Sequence, residues 1–238
     1  MKTTKLRFKR SLLALAGTAL LALTATSTQA AAITESGDAG QLPGSAQITA
    51  GTGSIDTIRG SLLTTPSNDY ADMFRIYLFA GSTFSATTTA SDFNFNNFDT
   101  SLFLFDSAGN GLVANDDDPN VGPTSTLHDF SVITSGYYYL AIAGAGYTPV
   151  SAGGSIFGDL TQMDQVGPGG PGGSQALSGW QSITGEGDAY EIVLQGAFAD
   201  VPEPGSLMLL GLGAAALVSR RNRSNRRSLS TLAASAAR

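Results

Sequence analysis

DTSLFLFDSAGNGLVANDDD, residues 99–118, is the stretch on which the fold turns. Two short apolar runs, Ser101–Phe105 and Leu112–Ala114, flank the segment Asp106-Ser-Ala-Gly-Asn-Gly111. Apolar runs this short, bounded by Gly, Asn and Asp, read as paired strands rather than as a helix. The stretch is therefore a β-hairpin with Asp106 as its turn residue, and its second strand runs into three consecutive aspartates, Asp116 to Asp118.

The neighbouring segments repeat the pattern on both sides. Thr57–Leu63 is a candidate strand, and Asp69-Tyr-Ala-Asp72 a turn. Met73–Phe79 places Phe74, Ile76 and Leu78 on one face, and Thr83–Thr89 alternates through Phe84 and Ala86. Thr126–Val132 and Tyr137–Ala143 pair around Ser135-Gly136, and Ala189–Leu194 closes the series. Period-two alternation, Thr and aromatic enrichment and glycine-marked turns predict an all-β fold, an antiparallel β-sandwich of jelly-roll type over residues 54–200. Residues 31–53 are a loose, Gly-rich lead-in with one short strand near Ala46–Ala50. Residues 144–187, centred on Gly167-Pro-Gly-Gly-Pro-Gly-Gly173, break the rhythm. They predict a surface insertion that cannot nucleate a core, with Trp180 packing it back onto the sandwich.

The two ends have a different grammar. Residues 1–30 read as a secretory signal helix. Lys2, Lys5, Arg7, Lys9 and Arg10 precede the apolar run Ser11–Leu23, and small residues follow at Thr28-Gln29-Ala30 and Ala30-Ala31-Ala32, where signal peptidase would cut. At the other end Val201-Pro202-Glu203-Pro204 is a rigid extended break. The uncharged run 205–219 follows, then Arg220, Arg221, Arg223, Arg226 and Arg227. An apolar segment with a basic stop reads as a short transmembrane helix with its C-terminus in the cytoplasm. At this length it suits a transient anchor better than a permanent one. A basic tail, 224–238, completes the chain.

Removing the ends changes the electrostatics. Five of the 13 Lys and Arg lie in residues 2–10 and six in 220–238. Residues 33–200 hold eighteen acids against two bases, Arg59 and Arg75, a net charge of −16. Such a surface repels phosphate backbones and excludes nucleic acid as a natural partner. It favours cations and a hydrated matrix. The absence of cysteine excludes disulfides, thiolate metal sites and a Cys nucleophile.

Calcium is the cofactor this composition would take, because hard cations need several oxygen ligands. The candidate ligands are Asp116 and Asp117 with Asp99, helped by Asn115 or a backbone carbonyl. The alternative is an Asx-type turn that ends the strand before Pro119. An EF-hand is excluded: Val121 stands where glycine is required, and Leu127 where the bidentate glutamate belongs. Catalysis finds little footing. The single histidine, His128, lies in a candidate strand with Asp129 on the opposite face, and no Gly-x-Ser-x-Gly elbow precedes a helix. The expectation is no enzyme and no catalytic residue, but a secreted module with a matrix or adhesion role. A small hydrolase or glycan-active enzyme on the same sandwich is the alternative.

Two resemblances add to this reading. Val201-Pro-Glu-Pro204, the apolar run and Arg220-Arg-Asn-Arg223 together resemble the PEP-CTERM sorting signal of Gram-negative bacteria. That resemblance implies recognition by an exosortase, with Pro202, Glu203, Pro204, Arg220 and Arg221 as the sorting residues. It implies export through the inner membrane, a transient C-terminal anchor, and release to the cell surface or extracellular polysaccharide. The 15 residues after Arg223 depart from the usual short tail. The middle is similar to the bacterial pre-peptidase C-terminal domain, a calcium-associated β-sandwich. The similarity runs through Asp72-Met-Phe-Arg-Ile-Tyr-Leu-Phe-Ala-Gly81, Asp99–Asp106, Ser107–Gly111, Asn115–Asp117, Ser135–Leu140 and Asp188–Leu194. It covers roughly residues 54–196, and the 144–187 insertion departs from the shorter family form. No peptidase accompanies the domain, so no peptidase activity is implied; what the resemblance adds is one more alternative, an accessory domain to a separate peptidase.

Overall fold

The computed structural model describes residues 30–62, 69–89, 99–120, 122–161, 163–182 and 187–199. The signal segment, the Asn94–Phe98 loop, the apolar run 205–219, the sorting residues and the basic tail lie outside the described residues.

Thirteen strands form in the described part, and no helix. They are β1 (Ala31–Thr34), β2 (Gln47–Ile48), β3 (Ser54–Ser61), β4 (Ala71–Leu78), β5 (Thr83–Thr89), β6 (Thr100–Phe105), β7 (Gly111–Asn115), β8 (Thr126–Ser131), β9 (Gly136–Gly144), β10 (Tyr147–Ser151), β11 (Gly154–Ser155), β12 (Gly179–Ser182) and β13 (Ala189–Phe198). The expected hairpin is β6–β7. Its turn is held by Asp106, whose Oδ1 accepts from the amides of Ala108 and Asn110, both at 2.9 Å.

Ten strands make one sheet folded into two layers. One layer runs β7-β6-β9-β4, with β2 beside β4. The other runs β1-β3-β13-β5-β8. The layers join through β13. It pairs β5 from Glu191 to Gln195, then meets β4 at Phe198↔Tyr77. Gly196 makes the switch. Its φ is +81°, and a Cβ there would lie 2.2 Å from the Thr83 carbonyl oxygen. β1 pairs β3 and β2 pairs β4 in parallel, so the sheet is mixed rather than wholly antiparallel.

Alternation explains the two cores. Along β4, β6 and β9 one set of side chains faces the space between the layers: Phe74, Ile76, Leu78, Leu102, Leu104, Leu140 and Ile142. Ile58, Phe84, Leu127, Ile192 and Leu194 meet them from the other layer. The opposite set, Met73, Phe103, Phe105, Tyr139, Ala141 and Ala143, faces outward yet is also buried. What covers it is the 144–187 segment, and here the sequence expectation is corrected. That segment builds its own three-stranded sheet, β11-β10-β12, and lays Ile156, Phe157, Leu177 and Trp180 on the outer face. Trp180 stands edge-on to Phe103 at 5.4 Å, stacks on Tyr147 at 5.4 Å and donates from Nε1 to the Gln41 carbonyl at 2.7 Å. Glycine density does not prevent a core when the sheet supplies half of it. Gly111 contributes by absence, since a Cβ there would meet Ile156 Cγ2 at 2.5 Å.

The strand directions set two opposite ends. Asp72↔Ile142 and Ala189↔Ser61 mark one, and Leu78↔Gly136 and Phe198↔Ser54 the other. Near the first end a buried hydroxyl cluster ties the layers together. Thr88 Oγ1 lies 2.7 Å from Thr100 Oγ1 and accepts from the Ser125 amide at 2.9 Å.

Candidate metal centre

Carboxylates collect at that first end, and three of them converge. Glu35 follows β1, Asp69 lies just before β4, and Asp72 is the second residue of β4. Each offers an oxygen, and these oxygens lie within 4.8 Å of one another. It is the one such group of three or more among the described residues.

Local structure places each side chain. Asp72 shares the face of β4 that carries Phe74, Ile76 and Leu78, so it points between the layers and is fully buried. Its Oδ2 accepts from the Tyr190 hydroxyl at 2.6 Å, and its Oδ1 is buried without a hydrogen-bond partner. Glu35 is anchored through both oxygens: Oε2 accepts from the Ser61 amide at 2.8 Å and Oε1 from the Ala39 amide at 3.3 Å. Gly60 leaves the room this needs. A Cβ at that position would fall 2.3 Å from the Tyr190 hydroxyl oxygen and 2.6 Å from Glu35 Oε2.

The electrostatics follow from crowding. Burial pushes the Asp72 carboxyl up to about 8, against the hydrogen bond from Tyr190, and the nearby Glu35, Asp69 and Asp38 add to the rise. Burial raises Glu35 too, partly offset by the amides of Ser61 and Ala39. Burial and the charge of Asp72 hold the Tyr190 phenol well above its ordinary range. Like charges this close cannot all ionise in a low-dielectric site unless a cation joins them. An oxygen-only set suits calcium or magnesium and not a soft metal. Three side-chain residues fall short of the six to eight oxygens calcium takes, so backbone carbonyls and water would complete the shell.

The sequence-derived set fares differently. Asp99, Asp116 and Asp117 lie at the same end of the sandwich but do not form a converging group. Asp116 accepts from the Ser101 hydroxyl, and burial raises its carboxyl. The carbonyl of Asp117 accepts from Asn115 Nδ2 at 2.8 Å, and that of Asp99 from the Ala145 amide at 3.0 Å. The turn before Pro119 is the Asx-type arrangement: Asp118 Oδ1 accepts from the Asn120 amide at 2.8 Å. Burial pushes the Asp118 carboxyl up, but hydrogen bonds, led by that from the Asn120 amide, outweigh it and hold it below the usual range. His128 Nε2 sits 2.6 Å from Asp118 Oδ2, so its imidazole faces a carboxylate.

Reading the sequence misses the converging set because it assigns Asp69–Asp72 to a turn and Glu35 to a loose lead-in. One signal was available: Asp72 falls in phase with three core residues of its strand, where a carboxylate needs a partner.

Comparison with the curated proteins gives no match to this chain. The family described as the PEP-CTERM protein-sorting motif matches residues 200–224. The chain thus carries a motif that indicates exosortase-dependent sorting, with export and a C-terminal anchor before processing.

Proposed function

We propose that this chain is a non-catalytic exported module, displayed on the cell surface or in extracellular polysaccharide. It has a matrix or adhesion role there and binds calcium at Glu35, Asp69 and Asp72. The observation that carries the calcium reading is the buried, unpartnered Oδ1 of Asp72 beside two further carboxylates. The sorting motif at 200–224 and the excess of acids over bases in residues 33–200 support the destination. A calcium-loaded sandwich is rigid outside the cell and loosens where calcium is scarce, which suits a matrix component.

Thermal melts of the full chain test the calcium reading. A ligand that binds only the folded state stabilises it by about 2.7 kcal/mol at a hundredfold excess over Kd. Millimolar calcium should therefore raise Tm over the chelated protein. Asp72→Asn should abolish the rise, and Asp117→Asn should leave it intact. No shift in the unaltered protein would end the calcium proposal. For sorting, the residues after 200 are deleted and cells fractionated. The truncated chain should be lost from the surface and polysaccharide layer, and unchanged localisation would overturn that part.

One groove favours a second reading, a small glycan-active enzyme. Asp116 and Asp159 line a cavity of about 270 Å³, together with Thr148, Pro149 and Phe157. Asp116 carries the raised carboxyl, and glycoside hydrolysis uses two carboxyls, one of them raised. Asp159 Oδ1, however, accepts from both the amide and the hydroxyl of Thr161, so its position serves a local turn. Release of reducing sugar from the producer's own polysaccharide, lost in Asp116→Asn, would decide for this reading.

A further inference from the structure

The end of the sandwich opposite the carboxylates has the reverse character. Exposed apolar side chains gather there: Phe79 is 44% exposed and Ile133 83%. Tyr137, the second residue of β9, joins them at 36%. Tyr77 stands edge-on to Phe79 at 4.9 Å and to Tyr137 at 5.4 Å, and Phe79 edge-on to Phe198 at 4.7 Å. The Arg75 guanidinium lies 5.0 Å over the Tyr137 ring. Ile133 and Tyr137 line one open depression with Phe130 and Leu112. The 144–187 layer, which covers Met73, Phe103, Phe105 and Tyr139, leaves Phe79 and Tyr137 exposed, while Tyr77 and Phe198 are half-buried.

Charge is sorted along the same axis. Glu35, Asp69, Asp72, Asp99, Asp116, Asp117, Asp118 and Asp188 lie at the far end, by the register of β3, β4, β6, β7 and β13. Toward the aromatic end lie Asp56, Asp106 and Asp129, and Asp106 is tied into its turn by Ala108 and Asn110.

Phe198, a member of the aromatic patch, is the last residue of β13. Six residues separate it from Gly205, the start of the apolar run. Fully extended, seven residue steps reach at most about 25 Å. An anchor in the bilayer therefore keeps Phe198 within about 25 Å of the start of the apolar run.

We infer that the Phe79–Ile133–Tyr137–Phe198 patch, with Arg75, is a docking face for the lipid headgroup interface while the chain is anchored. Aromatic rings backed by a cation are the residues that settle at a membrane–water boundary. The far-end acids would be repelled by anionic lipid, so docking by the opposite end is disfavoured. Docking fixes the height of the sandwich above the bilayer, and with it the distance that the six residues between Phe198 and Gly205 have to span. The inference rests on the sorting reading, because without the anchor nothing holds this end near lipid.

The test uses the full chain, which has no cysteine of its own. Ile133→Cys and, separately, Phe79→Cys receive an environment-sensitive fluorophore. Asp38→Cys, exposed beside the far-end carboxylates, is the control. Each is reconstituted into phosphatidylethanolamine/phosphatidylglycerol vesicles that contain a quencher-labelled lipid. The expected result is loss of most emission at positions 133 and 79, with none lost at 38. If the chain floats with the vesicles but positions 133 and 38 are quenched alike, the docking face is wrong and the anchor stands. If the chain does not float, the anchor reading fails and the docking face falls with it. Two other results also overturn the inference. One is a spectral shift at 133 that follows protein concentration without lipid, which assigns the patch to a second copy. The other is a shift that follows added polysaccharide and not vesicles, which assigns it to glycan.

Discussion

At the residue scale, Asp72 is the most consequential side chain. Its folded carboxyl titrates near 8, far above the unfolded value of 3.8. Between those values the folded state holds a proton that the unfolded state has released. Stability of the calcium-free protein therefore falls as pH rises from about 4 to about 8, and Glu35 and Asp116, also raised, act in the same direction. Melts in chelator across that range should show a falling Tm. Asp72→Asn should flatten the slope and make the chelated protein more stable than the unaltered chain at pH 8. With calcium present the ionised form is the one that binds, so the slope should shrink or reverse. A flat profile for the unaltered chain in chelator would show that Asp72 is not held protonated. The sequence analysis did not single out Asp72 as a ligand, because its burial depends on β13 bringing Tyr190 across from 118 positions away.

Among the elements, β13 does the most to make a sandwich from a sheet. Its first half pairs β5 and its last residue pairs β4, and Gly196 stands between them. Gly196→Ala would force a side chain into the left-handed region and against the Thr83 carbonyl. A cost of about 1–3 kcal/mol is expected, read as a lower urea midpoint with little change in slope. A loss below a few tenths of that would mean the bulge relaxes freely. The strand itself was legible: Tyr190, Ile192 and Leu194 alternate as a half-buried strand must. Its last four residues were not, since Gln195-Gly-Ala-Phe198 shows no alternation and owes its extended form to β3 and β4. The same division holds for β6 and β7. Their hairpin is local and was read directly, whereas the burial of both faces of β6 depends on a segment some fifty residues away.

For the molecule as a whole, the second core decides how the parts hold together. The 144–187 layer is fastened by Trp180 through Phe103, Tyr147 and the Gln41 carbonyl. Trp180→Ala should free this layer and expose Met73, Phe103 and Phe105, at a cost below the about 3–5 kcal/mol of a fully buried Trp, since Trp180 is half-buried. Limited proteolysis should then cut within 144–187 while the inter-layer core persists. Equal protection in the variant would show that Ile156, Phe157 and Leu177 hold the layer unaided. By itself the sequence determined the all-β class, the hairpin at 99–118, most strand positions and the sorting motif. Each of these is written in local alternation, turn chemistry or a contiguous pattern. Only the tertiary structure decided which carboxylates meet, that a glycine-rich segment roofs the outer face, and that acids and aromatics occupy opposite ends. The physical reason is that these features join residues distant in the chain. Their proximity is set by strand order and register, which period-two patterning does not encode.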